Sequence, residues 1–550
     1  MRTPLLSRGF GPLSALLLAI MAAQMFTAAR DESQTFDEAV HLTAGYRYWK
    51  TGDFSMNIEH PPLQKLLSGA ALLPLGLKLP DDPKIQNDQW EFAKTFLYRN
   101  VVPADTILLR GRLVTIGLTI LLGAALVWWA RRRFGPAAAL AVAVLFTLDA
   151  NFMAHGRLVT TDAIASLFFF LTFAAWFEFL WSERPAWRWA IATGVFLGLA
   201  LAAKFSAIIL LPVLPAMLLL RWPGWRGAIA GTMIALWLPV PIVAASYWPE
   251  TAKWMAMENP PRLREHTDKT TLIGYLLRGA DRHLHLPPHT WFLGLHAVAQ
   301  HDKEGHNAYL LGQQSDRGWW YYFPVAFFVK TPAALLLLAA LALVAGWRGQ
   351  WRTWATLLVP VALYFAVSMS SRINIGFRHL LPVFPFLMVL AAVTATRVLP
   401  PQWRVGVAAA ALGLHLFEAV RIAPYHLAFF NVFAGGPQAG PKYLVDSNLD
   451  WGQDLKRLKA RMERERWNAV CLEYFGYADP KEYGIKAEYL PKTWNKGEME
   501  WMNCVGAISA TLLQDVYIQK GSFEWLRRRE PMGTVGYSIY LYDLRKDLRK

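Results

Sequence analysis

The chain has 550 residues, 54% of them hydrophobic and 17% charged, with 25 Trp and a formal net charge of +16. A soluble protein carries charge on about a quarter of its residues, so this composition excludes an ordinary soluble fold. Much of the positive excess is Arg in short stretches between apolar runs, which marks membrane topology rather than a nucleic-acid surface.

Apolar runs of spanning length recur, at about 10–29, 112–130, 136–150, 162–181, 188–204, 206–220, 228–247, 323–345, 353–370, 378–396 and 404–420, or about eleven spans. Orientation follows from Arg. Arg2 and Arg8 precede the first run, and Arg131, Arg132 and Arg133 follow the second. Arg184 with Arg188, Arg221 with Arg226, Arg348 with Arg352, and Arg397 with Arg404 fill alternate connections after that. The only acidic residue among them is Glu183. All lie on one side of an eleven-span layout, which the positive-inside rule makes cytoplasmic, together with the N-terminus. Trp128, Trp129, Trp187, Trp189, Trp222, Trp225, Trp347, Trp351 and Trp403 flank these Arg as an interfacial belt. A signal peptide is the competing reading of the first run, from Arg2, a short apolar core and small residues near 22–29. The Arg alternation favours an uncleaved anchor.

The opposite, extracytoplasmic side receives 31–107, 149–162, 246–322, 371–379 and the tail. The expected organisation is a mainly α, polytopic membrane domain over 1–420, with a first external loop at 30–110 and a long external loop at 246–322. A soluble α/β domain follows over 421–550. In that tail LKRLKARMERERW reads as a helix, and NAVCLEYFG, CVGAIS and TVGYSIYLYDL as strands. Both cysteines, Cys471 and Cys504, fall in predicted strands. A disulfide and a pair of buried thiols are both open.

Polar chemistry concentrates in the first external loop, at TFDEAVHLTAGYRYWKTGDFSMNIEHPPLQK, residues 35–65. Ionisable groups gathered beside a membrane span are candidate functional groups. Thr35 and Glu38 fit a capping box for a helix over 36–48, which would account for Glu38 without any function. Such a helix puts Asp37, His41 and Gly45 on one face, with Tyr48 or Trp49 next along it. Asp37 is then either a residue favoured by the helix dipole or a general base. Glu59 and His60 sit at the mouth of a second helix opened by Pro61 or Pro62. They are the pair that would take a divalent metal, although two donors do not make a site. Lys65 either snorkels to the interface or binds phosphate.

The same side carries HGRLVTTD, with His155, Arg157 and Asp162, and SRINIGFRHLLP, with Arg372, Arg378 and His379. A residue among Thr160, Thr161 and Asp162 would cap the next helix. Arg beside spans on this side should have an anionic partner, and phosphate suits the guanidinium fork. The long loop holds seven His (His266, His283, His285, His289, His296, His301 and His306) in no compact metal-binding spacing. Lys330 lies a short way into the next span and needs a polar partner.

FDEAVHLTAGYRYW with EHPPLQK resembles the first external loop of glycosyltransferase family 39. That family contains the dolichyl-phosphate-mannose–protein mannosyltransferases and bacterial relatives that include lipid A aminoarabinose transferases. HGRLVTTD, GHNAYLLG, GWWYYFPVAF, INIGFRHLLP and SNLDWGQDL are similar to bacterial members. The resemblance implies a GT-C membrane fold in a bacterial inner membrane and a polyprenyl-phosphate sugar donor, with mannose or a similar sugar. Asp37 would be the catalytic base, supported by Glu38. Arg157 and Asp162 align with a second Arg/Asp site. Lys65, Arg378 and His379, with His60, His306 and Lys330, would bind donor phosphate or substrate. No β-trefoil repeats of the eukaryotic type are evident, so the acceptor stays open between protein, lipid and glycan. The expected partners are the lipid-linked donor, that acceptor and membrane lipids, with no nucleic acid.

The chemistry expected is a single displacement with inversion. A carboxylate takes the acceptor proton, and cations stabilise the leaving phosphate. The rival class, a transporter or flippase of polyprenyl-phosphate sugars, predicts symmetric halves and broken helices near the midplane.

Overall fold

The structure is a computed structural model that describes residues 4–182, 186–220, 225–258, 260–281, 289–345, 351–493 and 504–545. Arg2, Glu183, Arg184, Arg221, Trp222, Trp347, Arg348, His283 and His285 lie outside the described residues.

Every apolar run becomes a helix, as unbroken hydrophobic sequence must when its backbone leaves water. Among the described residues seven helices are long and apolar enough to span, and eight if a bent pair counts as one. Eleven would require α5 (Ala104–Thr147) to count twice and the shorter helices Trp187–Ala203 and Phe205–Leu218 to cross as well. The bend in α5 falls at Gly135, in the left-handed region at φ 79°, with Pro136 next to it. Glycine tolerates that backbone and proline cannot continue the preceding turn. The expected span at 323–345 is broken by 115° between Tyr322–Lys330 and Ala333–Val344. Lys330 therefore sits at a break rather than inside a straight helix.

The first loop folds back on the bundle as short helices. The helix α1 (Pro4–Asp31) leads into α2 (Glu38–Thr51), α3 (Leu63–Leu72) and α4 (Gln89–Tyr98). The start of α2 departs from the expected cap. Asp37, not Thr35, is the N-cap, and the helix begins at Glu38. Half of the capping box forms, since Thr35 N donates to Glu38 Oε2 at 2.9 Å. The other half does not: Thr35 Oγ1 is left without a partner among the described residues, because the helix starts only at Glu38. The Glu38 carboxylate is shared with buried Arg112, at 2.8 and 2.6 Å. Arg112 also donates to the carbonyls of Ala29, Glu32 and Ser33, so it clamps the exit of α1. A Cβ on Gly45 would lie 1.9 Å from the Lys65 carbonyl oxygen. The helices α2 and α3 therefore meet backbone to backbone, which only glycine permits.

The short helix α6 (Ala150–His155) precedes α7 (Asp162–Leu180), and α8 (Trp187–Ala203) follows it. In the long loop β1 (Ala308–Leu310) and β2 (Gln313–Ser315) form an antiparallel hairpin. The tail contributes the helix Leu455–Arg464 and a five-stranded mixed sheet. Its strands are β3 (Val470–Glu473), β4 (Ala487–Glu488), β5 (Val505–Ser509), β6 (Gly533–Val535) and β7 (Ile539–Asp543). The order is β4-β3-β5-β7-β6, with β3 parallel to β4 and β5 and the other pairs antiparallel. TVGYSIYLYDL, expected as one strand, is the β6–β7 hairpin. Cys471 and Cys504 form a disulfide.

The tail is stitched to the first loop along its backbone. Ser33 N donates to Gln453 O and Phe36 N to Trp451 O, both at 3.0 Å. Ser33 Oγ donates to Gly452 O and accepts from Leu455 N. Beside this seam Arg157 grips both Glu32 oxygens, at 2.8 and 2.5 Å. Burial raises the Glu32 pKa, but Arg157, then Arg457 and Arg112, outweigh it and hold the carboxyl down at about 2.

Breaking the Glu38–Arg112 pair strands a buried charge, so Glu38→Gln should cost about 3–5 kcal/mol, seen as a lower Tm in detergent. Glu32 has a folded pKa below its unfolded value of 4.5. Its stabilisation is complete above that value and lost as pH falls toward about 2. The Tm gap between wild type and Glu32→Gln should accordingly narrow as pH drops through this window.

Candidate functional site

Four charges of alternating sign meet at the end of the bundle that carries the first loop. Asp37 caps α2, Asp162 opens α7, Lys204 directly follows α8, and Arg378 sits on the 3-10 turn Phe377–Val383. Arg378 Nη1 lies 3.3 Å from Asp37 Oδ2 and 3.6 Å from Asp162 Oδ2. Lys204 Nζ pairs with Asp162 Oδ1. The Arg378 guanidinium stacks on Trp451 of the tail, 4.3 Å from the ring centre, a geometry favourable to a cation.

The tail sets the position of Arg378. Asn448 Oδ1 accepts from Phe377 N at 2.8 Å, and Ser447 Oγ donates to Ile375 O at 2.8 Å. A Cβ on Gly376 would lie 2.2 Å from Ser447 Oγ, so the turn reaches this position only with glycine there.

Asp37, Lys204 and Arg378 line a cavity of about 1440 Å³, joined by Glu59, His60 and His379. Arg378 Nε and His379 Nε2 are buried with no hydrogen-bond partner among the described residues. Buried polar atoms are ordinarily satisfied, so these two, on residues that line the cavity, are exceptions.

A second polar arm crosses the cavity wall. His301 Nε2 is 3.0 Å from His306 Nδ1, and His306 Nε2 is 3.0 Å from Tyr517 Oη. The Tyr517 hydroxyl donates to Asp446 Oδ2 at 2.5 Å. With that hydroxyl committed to Asp446, His306 Nε2–H donates to Tyr517 and Nδ1 accepts from His301. Burial pulls the His306 pKa down to about 4, which keeps this tautomer neutral. Burial pushes Asp446 up to about 6, and the Tyr517 bond opposes the rise. On the other wall His41 Nδ1 donates to Val159 O at 2.8 Å. The His60 ring stands edge-on to His41 at 5.1 Å. Burial lowers both pKa values.

The structure thus brings together Asp37, Asp162, Arg378, His379, His60, Glu59 and His306. It does not bring Lys65, Arg157, Lys330 or Glu38 to the cavity lining. Lys65 Nζ donates to Asn57 O at 2.6 Å, His60 O at 2.7 Å and Tyr48 Oη at 2.8 Å, so it holds the turn that presents Glu59 and His60. Arg157 is committed to Glu32. Lys330 donates to Leu427 O and Asn448 O. Glu38 belongs to Arg112. Glu59 accepts from Asn57 Nδ2 at 3.3 Å. Among the described residues no three His, Cys, Asp or Glu side chains gather as a metal-binding set.

Sequence reasoning missed Lys204, Trp451, Asp446 and Tyr517. Lys204 had a usable signal, as a lone cation closing an apolar run on the side where Arg is scarce. Trp451 and the neighbouring Asn448 lie inside SNLDWGQDL, a phrase singled out without roles for either residue.

The spanning helices carry their charges gathered at one end, under a folded-back first loop. ArnT from Cupriavidus metallidurans bound to undecaprenyl phosphate shares this fold, with a TM-score of 0.50 at 13% identity. The match covers 96% of this chain and 97% of that one. The apo state of the same protein gives a TM-score of 0.49 at 13% identity, over 97% of this chain and 98% of that one. Residues 14–237 match the family model described as dolichyl-phosphate-mannose-protein mannosyltransferase. That match takes in Asp37, Asp162 and Lys204. No curated protein matches the chain.

Removing the Tyr517 hydroxyl takes away the bond that opposes the rise in Asp446. Tyr517→Phe should therefore move the Asp446 pKa above about 6. The protonated-carboxyl band in a pH-titrated infrared difference spectrum checks this, with Asp446→Asn as the assignment control.

Proposed function

We propose that this protein is a membrane glycosyltransferase. It moves a sugar, mannose or a similar one, from a polyprenyl-phosphate donor to an extracytoplasmic hydroxyl in a bacterial inner membrane. The observation that carries the reading is the Asp37–Arg378–Asp162–Lys204 row, with unsatisfied donors on Arg378 and His379 at the cavity. An anionic oxygen would complete both.

The geometry supports a single displacement. Donor phosphate takes up Arg378 Nε and shares the positive charge of Lys204. Arg378 then turns part of its charge from Asp37 to phosphate, which leaves the Asp37 carboxylate freer to accept a proton. The acceptor hydroxyl attacks the anomeric carbon and its proton passes to Asp37. A carbon–oxygen bond forms to the acceptor, and the bond from the anomeric carbon to the phosphate oxygen breaks with its electron pair on phosphate. Arg378 and Lys204 stabilise the charge that develops there. One displacement inverts the anomeric centre. Asp162 is a positioning residue that holds both cations. Glu59 and His60 are the donors a divalent metal would take here, fewer than the three of a catalytic site. The acceptor class stays open between protein, lipid and glycan.

Transfer from radiolabelled polyprenyl-phosphate sugars in membranes tests this. Asp37→Asn should lower turnover by about 10²–10⁴-fold, and turnover equal to wild type would remove Asp37 from the base role. Arg378→Ala and Lys204→Met should each raise the donor KM by at least about tenfold, as expected for lost charge-assisted contacts to phosphate. An unchanged donor KM in both variants would reject the phosphate assignment.

A further inference from the structure

The cavity has a second end that the reaction above does not use. It is lined by Phe36 and Trp90 from the first loop and by Phe475 and Tyr477 from the tail. Trp90 and Tyr477 stack in parallel, with centroids 4.5 Å apart and planes 8° from one another. Phe36 wedges edge-on against both, at 72° to Trp90 and 79° to Tyr477. Asp88 fixes the turn that presents Trp90 by accepting from Trp90 N at 2.9 Å and Glu91 N at 3.2 Å. Half of the aromatic shelf therefore exists only while the tail is docked.

Charge divides this end from the other. The Lys and Arg side chains among the described cavity-lining residues are Lys204, Lys303, Arg372 and Arg378. None comes from the segments 89–90 or 474–477. Burial, and then the nearby Asp88 and Glu91, raise the pKa of Tyr477 and keep its phenol neutral. The shelf segments therefore offer a phosphate no cation. Flat aromatic faces with an amide (Gln89) and a phenol (Tyr477) beside them suit a ligand with one apolar ring face and a rim of hydroxyls.

We propose that the Phe36–Trp90–Phe475–Tyr477 shelf is the acceptor subsite, and that its ligand is an uncharged saccharide rather than a phosphorylated saccharolipid. This rests on the transferase reading above. It also gives the tail a role in acceptor recognition, since the tail supplies Phe475 and Tyr477. The row of charges selects the donor, and the shelf selects what receives the sugar.

The test uses full-length protein in lipid nanodiscs and saturation-transfer NMR with methyl α-mannoside and methyl β-glucoside. Glucose 6-phosphate and a Ser/Thr-rich peptide serve as competitors, and undecaprenyl phosphate binding is measured in parallel. A neutral glycoside should bind, and Trp90→Ala and Tyr477→Ala should each weaken it by about fivefold or more. Trp90→Phe and Tyr477→Phe should retain binding, which separates a stacking surface from a fold defect. Undecaprenyl phosphate affinity should stay within about twofold in all four variants. The proposal falls if neither glycoside binds, if both Ala variants bind it as wild type does, or if the phosphorylated sugar or the peptide binds more tightly. Failure of the wild type to bind undecaprenyl phosphate would overturn the transferase reading instead, and the glycoside result would still be read on its own.

Discussion

A buried charge needs an opposite charge, and the head of this bundle meets that demand with a row rather than with isolated pairs. Asp37, Arg378, Asp162 and Lys204 alternate in sign, so each inner member is held from both sides. Removing Arg378 would strip Asp37 of its partner in the row, and removing Asp162 would strip Lys204 of its own. The row is nevertheless incomplete, because Arg378 keeps a donor to spare and His379 a ring nitrogen.

The rest of the fold keeps that row in place. Arg112 and Arg157 tie the exit of α1 and the start of α2 to the bundle through Glu38 and Glu32, and so fix where Asp37 stands. Lys65 keeps the Asn57–His60 turn on the cavity wall. From the other side, Asn448 and Ser447 set the backbone before Arg378 while Trp451 supports its guanidinium. Cations and carboxylates that serve as scaffold thus surround the smaller number that face the cavity.

This division explains what was legible in the sequence. Hydrophobic runs, Arg spacing and the acid-rich first loop identify a polytopic helical protein with its chemistry on one side, because those signals are local. Asp37 and Arg378 stand out for the same reason. Lys65, Arg157 and Lys330 look alike to a reader of sequence, as cations beside spans. Whether each meets a ligand or a protein carbonyl depends on residues that sit elsewhere in the chain. Arg157 and Glu32 are 125 residues apart, and Lys330 and Asn448 are 118 apart. Asp446 and Tyr517 were invisible for that reason too, since neither breaks a hydrophobic pattern. The capping box misled in a different way. The Glu38 carboxylate serves both Thr35 N and Arg112, but the helix starts at Glu38, so the Thr35 hydroxyl caps nothing.

The seam between Ser33 and Leu455 has a consequence for biogenesis. Its two sides are 422 residues apart, so the first loop leaves the ribosome long before its partner exists. Throughout synthesis Asp37 waits without Trp451, Asn448 or the aromatic half of the cavity, and the pocket assembles only once the tail has been made and has folded. A nascent or prematurely terminated chain that ends before residue 446 would hold its helices and first loop yet lack the tail's share of the cavity.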